Sequence, residues 1–149
     1  MSGSGVAGAI HDAAGPELEA ECRKLGGCPP GEARITKGYK LPARFVIHAV
    51  GPVYRHGDTA QAGLLRACYQ SSLRLAADAG VTSIAFPPIS TGIYGYPKDE
   101  ATDIAISAVC DWLRSADLPL SVVFCCHGAK TADLYRRKLE ALANVSDRT

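Results

Sequence analysis

The chain has 149 residues, 47% apolar and 21% charged, enough for one hydrophobic core and consistent with a single domain over residues 1–149. A net charge of +1 supplies no basic field, and 7% aromatic residues offer little stacking surface, so nucleic acid is not an expected partner. No segment reaches the roughly 18 apolar residues of a membrane span, and no basic-then-apolar leader opens the chain, so the expected location is cytoplasmic.

In chain order, "VAGAIHDAA" starts a short helix behind "SGSG". "PELEAECRKL" begins with Pro and early acidic residues, the pattern of a helix start, and stops at Gly26-Gly27. "EARITKGYKLPARFVIHAV" holds two short strands around a turn at Gly38. "TAQAGLLRACYQSSLRLAADAG" puts Leu64, Leu65, Cys68, Leu73 and Ala76 near helical spacing, with Gly80 as the stop. "VTSIAF" is a strand. "DEATDIAISAVCDWLRSA" is a helix with Ile104, Ala108 and Leu113 on roughly one face. "PLSVVFCC" is an almost continuous apolar run, as strands covered on both faces have, and "KTADLYRRKLEALA" is a last amphipathic helix. This alternation predicts a three-layer α/β/α sandwich with a mixed, mostly parallel sheet.

Six cysteines, Cys22, Cys28, Cys68, Cys110, Cys125 and Cys126, form no C-x-x-C pair and read as reduced, mostly buried thiols. Cys125, Cys126 and His127 are consecutive, and alternation along a strand keeps them from gathering on one metal. His48, inside "FVIHAV", reads as a hydrogen-bonded core histidine, and His11 reads as structural. No Ser–His–Asp or Cys–His arrangement points to a nucleophile.

The stretch "PPISTGIYGYP", Pro87 to Pro97, follows the strand "VTSIAF" directly. In open α/β folds ligands sit beyond the carboxyl ends of strands. Gly92 and Gly95 permit positive φ, and successive N–H groups in such a turn form an anion-binding nest. Ser90 and Thr91 add hydroxyls, Tyr94 adds a flat apolar face, and the helix beginning near Pro97 adds its dipole. A diphosphate joined to sugars suits this set; a tight structural turn with its tyrosines in the core is the other reading. The opening "SGSGVAGAIHDAAG" is glycine-rich at a helix start, either a second phosphate site or an ordinary chain terminus.

Together "GSGVAGAIHDAAGPELEAEC", "GGCPPGEARITKGYKLPARFVIHAVGPVY", "SIAFPPISTGIYGYP" and "DLYRRKL" resemble the macrodomain family, in its MacroD-like ADP-ribose-binding and hydrolysing branch. The resemblance runs from Gly3 to about Leu142. It implies that Gly5, Val6 and Ala7 grip a diphosphate from one side and Ser90, Thr91, Gly92, Ile93 and Tyr94 from the other, with Tyr94 over the distal ribose. It places His127 where family members often carry an aromatic on the adenine; a surface histidine is the alternative. The implied partners are ADP-ribose or an ADP-ribosylated protein or metabolite. The implied reaction is hydrolysis of ADP-ribosyl esters, with neither metal nor cofactor expected.

Two departures qualify the resemblance. The family commonly begins upstream with a strand, a helix and a second strand ending in "NAAN", whose last Asn contacts the distal ribose; the expectation here is an N-terminally truncated domain in which Met1 corresponds to an internal methionine, poorly stable alone. The family loop commonly reads "GVDGAIH", whereas this chain reads "GVAGAIH", so the carboxylate implicated in hydrolysis is replaced by Ala7. The catalytic residues are therefore unassigned. A non-catalytic ADP-ribose-binding module and a fragment without a complete site stand as alternatives to the hydrolase.

Overall fold

The computed structural model describes residues 5–92, 94–116 and 120–147. Two short helices come first, α1 (Gly5–Ala14) and α2 (Pro16–Leu25). Pro16 opens α2 where its missing N–H costs nothing. Glu17 and Glu19 in the first turn and Arg23 and Lys24 in the last match the helix dipole.

A hairpin follows, β1 (Ala33–Lys37) and β2 (Phe45–Ala49), antiparallel with Ala33 opposite Ala49 and Lys37 opposite Phe45. Gly38 lies at the hairpin's turn as expected, its N–H donating to the Arg44 carbonyl at 2.9 Å. A Cβ there would fall 2.0 Å from the Ala43 carbonyl oxygen, so only glycine lets the two backbones pass this closely. The helix α3 (Gln61–Asp78) packs against both strands of the hairpin. α2 lies against β1, and its Cys22 reaches His48 of β2.

β3 (Ser83–Phe86), α4 (Lys98–Ser115) and β4 (Ser121–Phe124) form a strand–helix–strand crossover, and α5 (Ala129–Asp147) ends the described chain. β3 and β4 pair in parallel, Ser83 opposite Ser121 and Phe86 opposite Phe124. The architecture is the expected α/β one with mixed pairing. Among the described residues the strands form two two-stranded sheets, β1–β2 and β3–β4.

The core gathers Leu65, Tyr69 and Leu73 of α3, Phe86 of β3, Tyr96, the buried face of α4 and Tyr135 of α5. On α4 that face is Ala101, Ala105, Ala108 and Val109, a helical repeat of small residues that brings α3 and α4 close. Three sequence expectations need correction here. Leu64 and Leu113 are 36% and 39% exposed, because each helix turns a narrower stripe inward than simple counting suggests. Among the described residues β4 is covered on one face. Ile84, Phe86, Val122 and Phe124 face α3, α4 and α5, whereas Ser83, Ala85, Ser121 and Val123 are exposed, Val123 by 52%. The thiols are also less buried than expected. Cys68 is buried, Cys22, Cys28, Cys110 and Cys126 are half-buried, and Cys125 is exposed.

Candidate functional site

Gly5, Val6 and Ala7 are the first three residues of α1 rather than a loop before it. The N–H groups of a helix's first turn have no carbonyl partner within the helix and carry its positive dipole end. No acidic side chain stands in that turn, and Val6 and Ala7 are exposed. Among the described residues the start of α1 thus combines first-turn N–H groups with apolar side chains, a setting suited to an anion.

The segment after β3 folds back on itself. Tyr96 N–H donates to the Ser90 carbonyl at 2.8 Å and Gly95 N–H to the Gly92 carbonyl at 3.0 Å. The Thr91 hydroxyl donates to the Pro88 carbonyl at 3.4 Å. Among the described residues the N–H groups of Thr91, Gly92 and Tyr94 donate to no backbone carbonyl, which is the make-up of a nest. Tyr94 is 40% exposed, its ring free to cover a bound group, while Tyr96 is buried edge-on against Tyr54 at 5.1 Å. Ile93 lies outside the described residues.

Ser90 is the unusual residue of the segment. Its φ is +65°, a left-handed conformation that a residue with a side chain rarely adopts. Its Oγ is buried and has no hydrogen-bond partner among the described residues. It also lies against Gly51, where a Cβ would fall 2.1 Å from Ser90 Oγ and 2.7 Å from Ile89 Cγ2. Gly51 follows β2, so the segments after β2 and β3 meet here, and Tyr54 N–H seals the junction by donating to the Tyr94 carbonyl at 2.8 Å.

α1 is tied to the same strand. The rings of His11 and His48 lie 6.2 Å apart, and Gly51 is three residues, roughly 10 Å, further along. α1 thus meets β2 at His48, and the segment after β3 meets the chain at Gly51 just beyond β2. β4 runs parallel to β3, and the ladder continues through Cys125 N–H to the Phe86 carbonyl at 2.8 Å. This puts His127, exposed two residues on, beyond the neighbouring strand's carboxyl end.

Sequence reasoning passed over Gly51, although "HAVGP" signalled a glycine directly after a strand. Tyr69 was also missed, its hydroxyl accepting from the Ile89 N–H at 3.3 Å and fixing the start of the segment. Burial pushes the Tyr69 phenol far up and the Cys68 thiol up to about 11, so both stay protonated and act as packing and hydrogen-bonding groups. Cys68 Sγ sits 3.1 Å from the Val50 carbonyl, beside Gly51. A groove of about 480 Å³ between α4 and α5, lined by Ile106, Cys110 and Leu142 among others, includes none of the predicted site residues.

With this geometry in place, comparison with known proteins settles the family. The model of the Macro domain matches residues 1–105, and the chain belongs to that family. It is 56% identical over 142 residues to the Macro domain-containing protein mll7730 of Mesorhizobium japonicum, covering 95% of this chain and 81% of that one. It is 49% identical over 143 residues to the O-acetyl-ADP-ribose deacetylase of Enterobacter cloacae, covering 93% and 79%. Its fold matches the Trypanosoma brucei macrodomain in complex with ADP-ribose at a TM-score of 0.85 and 44% identity, covering 92% of this chain and 57% of that one. No helix among the described residues is long and apolar enough to cross a membrane.

Proposed function

We propose that this chain binds ADP-ribose where the segments after β2 and β3 meet, and hydrolyses ADP-ribosyl esters such as O-acetyl-ADP-ribose or mono-ADP-ribosylated protein. The observation that supports this most is Ser90, a strained residue whose buried hydroxyl has no partner among the described residues at the junction with Gly51. Strain and an unsatisfied polar group at one residue mark a site completed by a ligand. In this reading the diphosphate is held between the first turn of α1 (Gly5, Val6, Ala7) and the N–H groups of Thr91, Gly92 and Tyr94. Tyr94 covers the distal ribose and His127 stands beside the adenine. The diphosphate, once held, fixes the ester so that water attacks the acyl carbon or the anomeric centre. The T. brucei complex with ADP-ribose and the E. cloacae deacetylase lend support.

Calorimetric titration with ADP-ribose, with ADP as the control, tests binding. The expected result is micromolar affinity for ADP-ribose, clearly tighter than for ADP; a folded chain giving no heat overturns the reading. Nuclear magnetic resonance of O-acetyl-ADP-ribose incubated with the chain tests turnover.

Binding without turnover is a second reading, favoured by the absence of any acidic side chain in the first turn of α1. Ala7→Asp separates the two. If a carboxylate is what the site lacks, Ala7→Asp raises ester turnover by about 10²–10⁴-fold while leaving the affinity for ADP-ribose little changed. If the unaltered chain already turns over and Ala7→Asp adds nothing, hydrolysis proceeds without a protein carboxylate at that position.

A further inference from the structure

His11 of α1, Cys22 of α2 and His48 of β2 come from three separate elements, yet one ligating atom of each lies within 4.8 Å of the other two. Cys22 Sγ is 3.8 Å from His48 Nε2. At zinc-like bond lengths of about 2.0–2.3 Å, neighbouring ligand atoms of a tetrahedral site stand roughly 3.4–3.7 Å apart, so this pair is already close to the required spacing. All three side chains are half-buried.

A thiol–imidazole hydrogen bond accounts for Cys22 and His48 but not for His11. His11 Nδ1 is buried and has no hydrogen-bond partner among the described residues. One ring nitrogen of His11 also lies within 4.8 Å of the Cys22 and His48 ligand atoms, so a partner shared by the three is within reach. A cation satisfies all three groups at once. The local acid does not compete, since Glu21 is engaged by the Tyr39 hydroxyl and the Lys37 N–H.

We propose that His11, Cys22 and His48 form a binding site for a borderline-soft divalent cation of the zinc class. One thiolate and two imidazoles are the donors such ions prefer, and three protein ligands leave a fourth position for water. Thr36 Oγ1 lies 2.9 Å from His48 Nε2 and has the Lys37 carbonyl at 3.1 Å to donate to. It is thereby left to accept from that water when His48 turns to the metal. Binding releases the Cys22 proton and ties α1, α2 and β2 together. The proposal departs from the expectation that the chain holds no metal, and it does not depend on the ADP-ribose reading.

The test is cobalt(II) titration of the chelator-treated, reduced chain. The expected result is one cobalt per chain, a sulfur-to-cobalt charge-transfer band, and displacement of the cobalt by zinc(II). Zinc(II) should also raise the thermal midpoint by roughly 5 °C or more when present well above its dissociation constant. Cys22→Ser should abolish the charge-transfer band, and Cys125→Ser should retain it. If Cys22→Ser does not fold, His11→Gln decides, because His11 Nδ1 has no hydrogen-bond partner to lose among the described residues: cobalt affinity should fall by at least about tenfold. A folded chain with no charge-transfer band overturns the proposal, as does a band that survives Cys22→Ser or an affinity unmoved by His11→Gln.

Discussion

Ser90 combines two unfavourable features. A left-handed backbone costs a residue with a side chain about 1–2 kcal/mol, and an unsatisfied buried hydroxyl about 1–3 kcal/mol more. Ser90→Ala keeps the backbone and deletes the hydroxyl. Without ligand it should raise the unfolding free energy by about 1 kcal/mol, read from urea denaturation, because a desolvated donor is gone. Under the proposed function it should also weaken ADP-ribose binding, read by calorimetry. A loss of stability would mean that Ser90 Oγ has a partner in solution. The motif "ISTGIYGYP" made the unusual bend legible, but not its placement. Positive φ falls on Ser90 and Gly95, not on Gly92, since the bend is set by contact with Gly51, 39 positions earlier, and no local pattern encodes that contact.

Among the elements, the long helices were the easiest to read, because period and stop signals are local. Their partners were harder. Lys138 of α5 reaches Asp99 at 3.2 Å and Asp103 at 2.7 Å on α4, and the Asp103 hydrogen bond is the main reason its pKa is raised. These carboxylates are exposed, so the clamp is screened by water and salt. Lys138→Met should cost less than about 1 kcal/mol in low-salt denaturation, with the difference from the unaltered chain shrinking as salt is added. A cost that ignored salt would point to packing by the Lys138 stem instead. The His11–Cys22–His48 cluster illustrates the same limit. Both histidines were read as structural and Cys22 as a reduced thiol, because the spacing fits no ligand motif and only the packing of α1 on α2 and of α2 on β1 brings them together.

At the scale of the whole molecule, burial is uneven around the β3–β4 pair. The run "SVVF" contains the residue types of a strand covered on both faces, yet composition cannot report that α3, α4 and α5 all gather on one side. The asymmetry gives a paired prediction. Phe86→Ala, which removes a ring 5.0 Å from Tyr69, should cost about 3–5 kcal/mol, whereas Val123→Thr should stay within about 0.5 kcal/mol. Equilibrium denaturation of the two variants checks it, and a large cost at Val123 would mean that the outer face is covered in solution.

The hairpin carries a further consequence, in the rate at which its amide protons trade with solvent deuterium. The Gly38 N–H bond to Arg44 fixes the phase of the antiparallel ladder, so Val46 and His48 direct their N–H groups toward β1 and Phe45, Ile47 and Ala49 direct theirs away. Among the described residues no strand receives the outward set. Deuterium uptake followed residue by residue should therefore alternate along β2, slow at Val46 and His48 and fast at Ile47 and Ala49. Uniformly slow uptake would reveal a second neighbour for β2 in solution, and a strand laid along that edge would find its donors already in line.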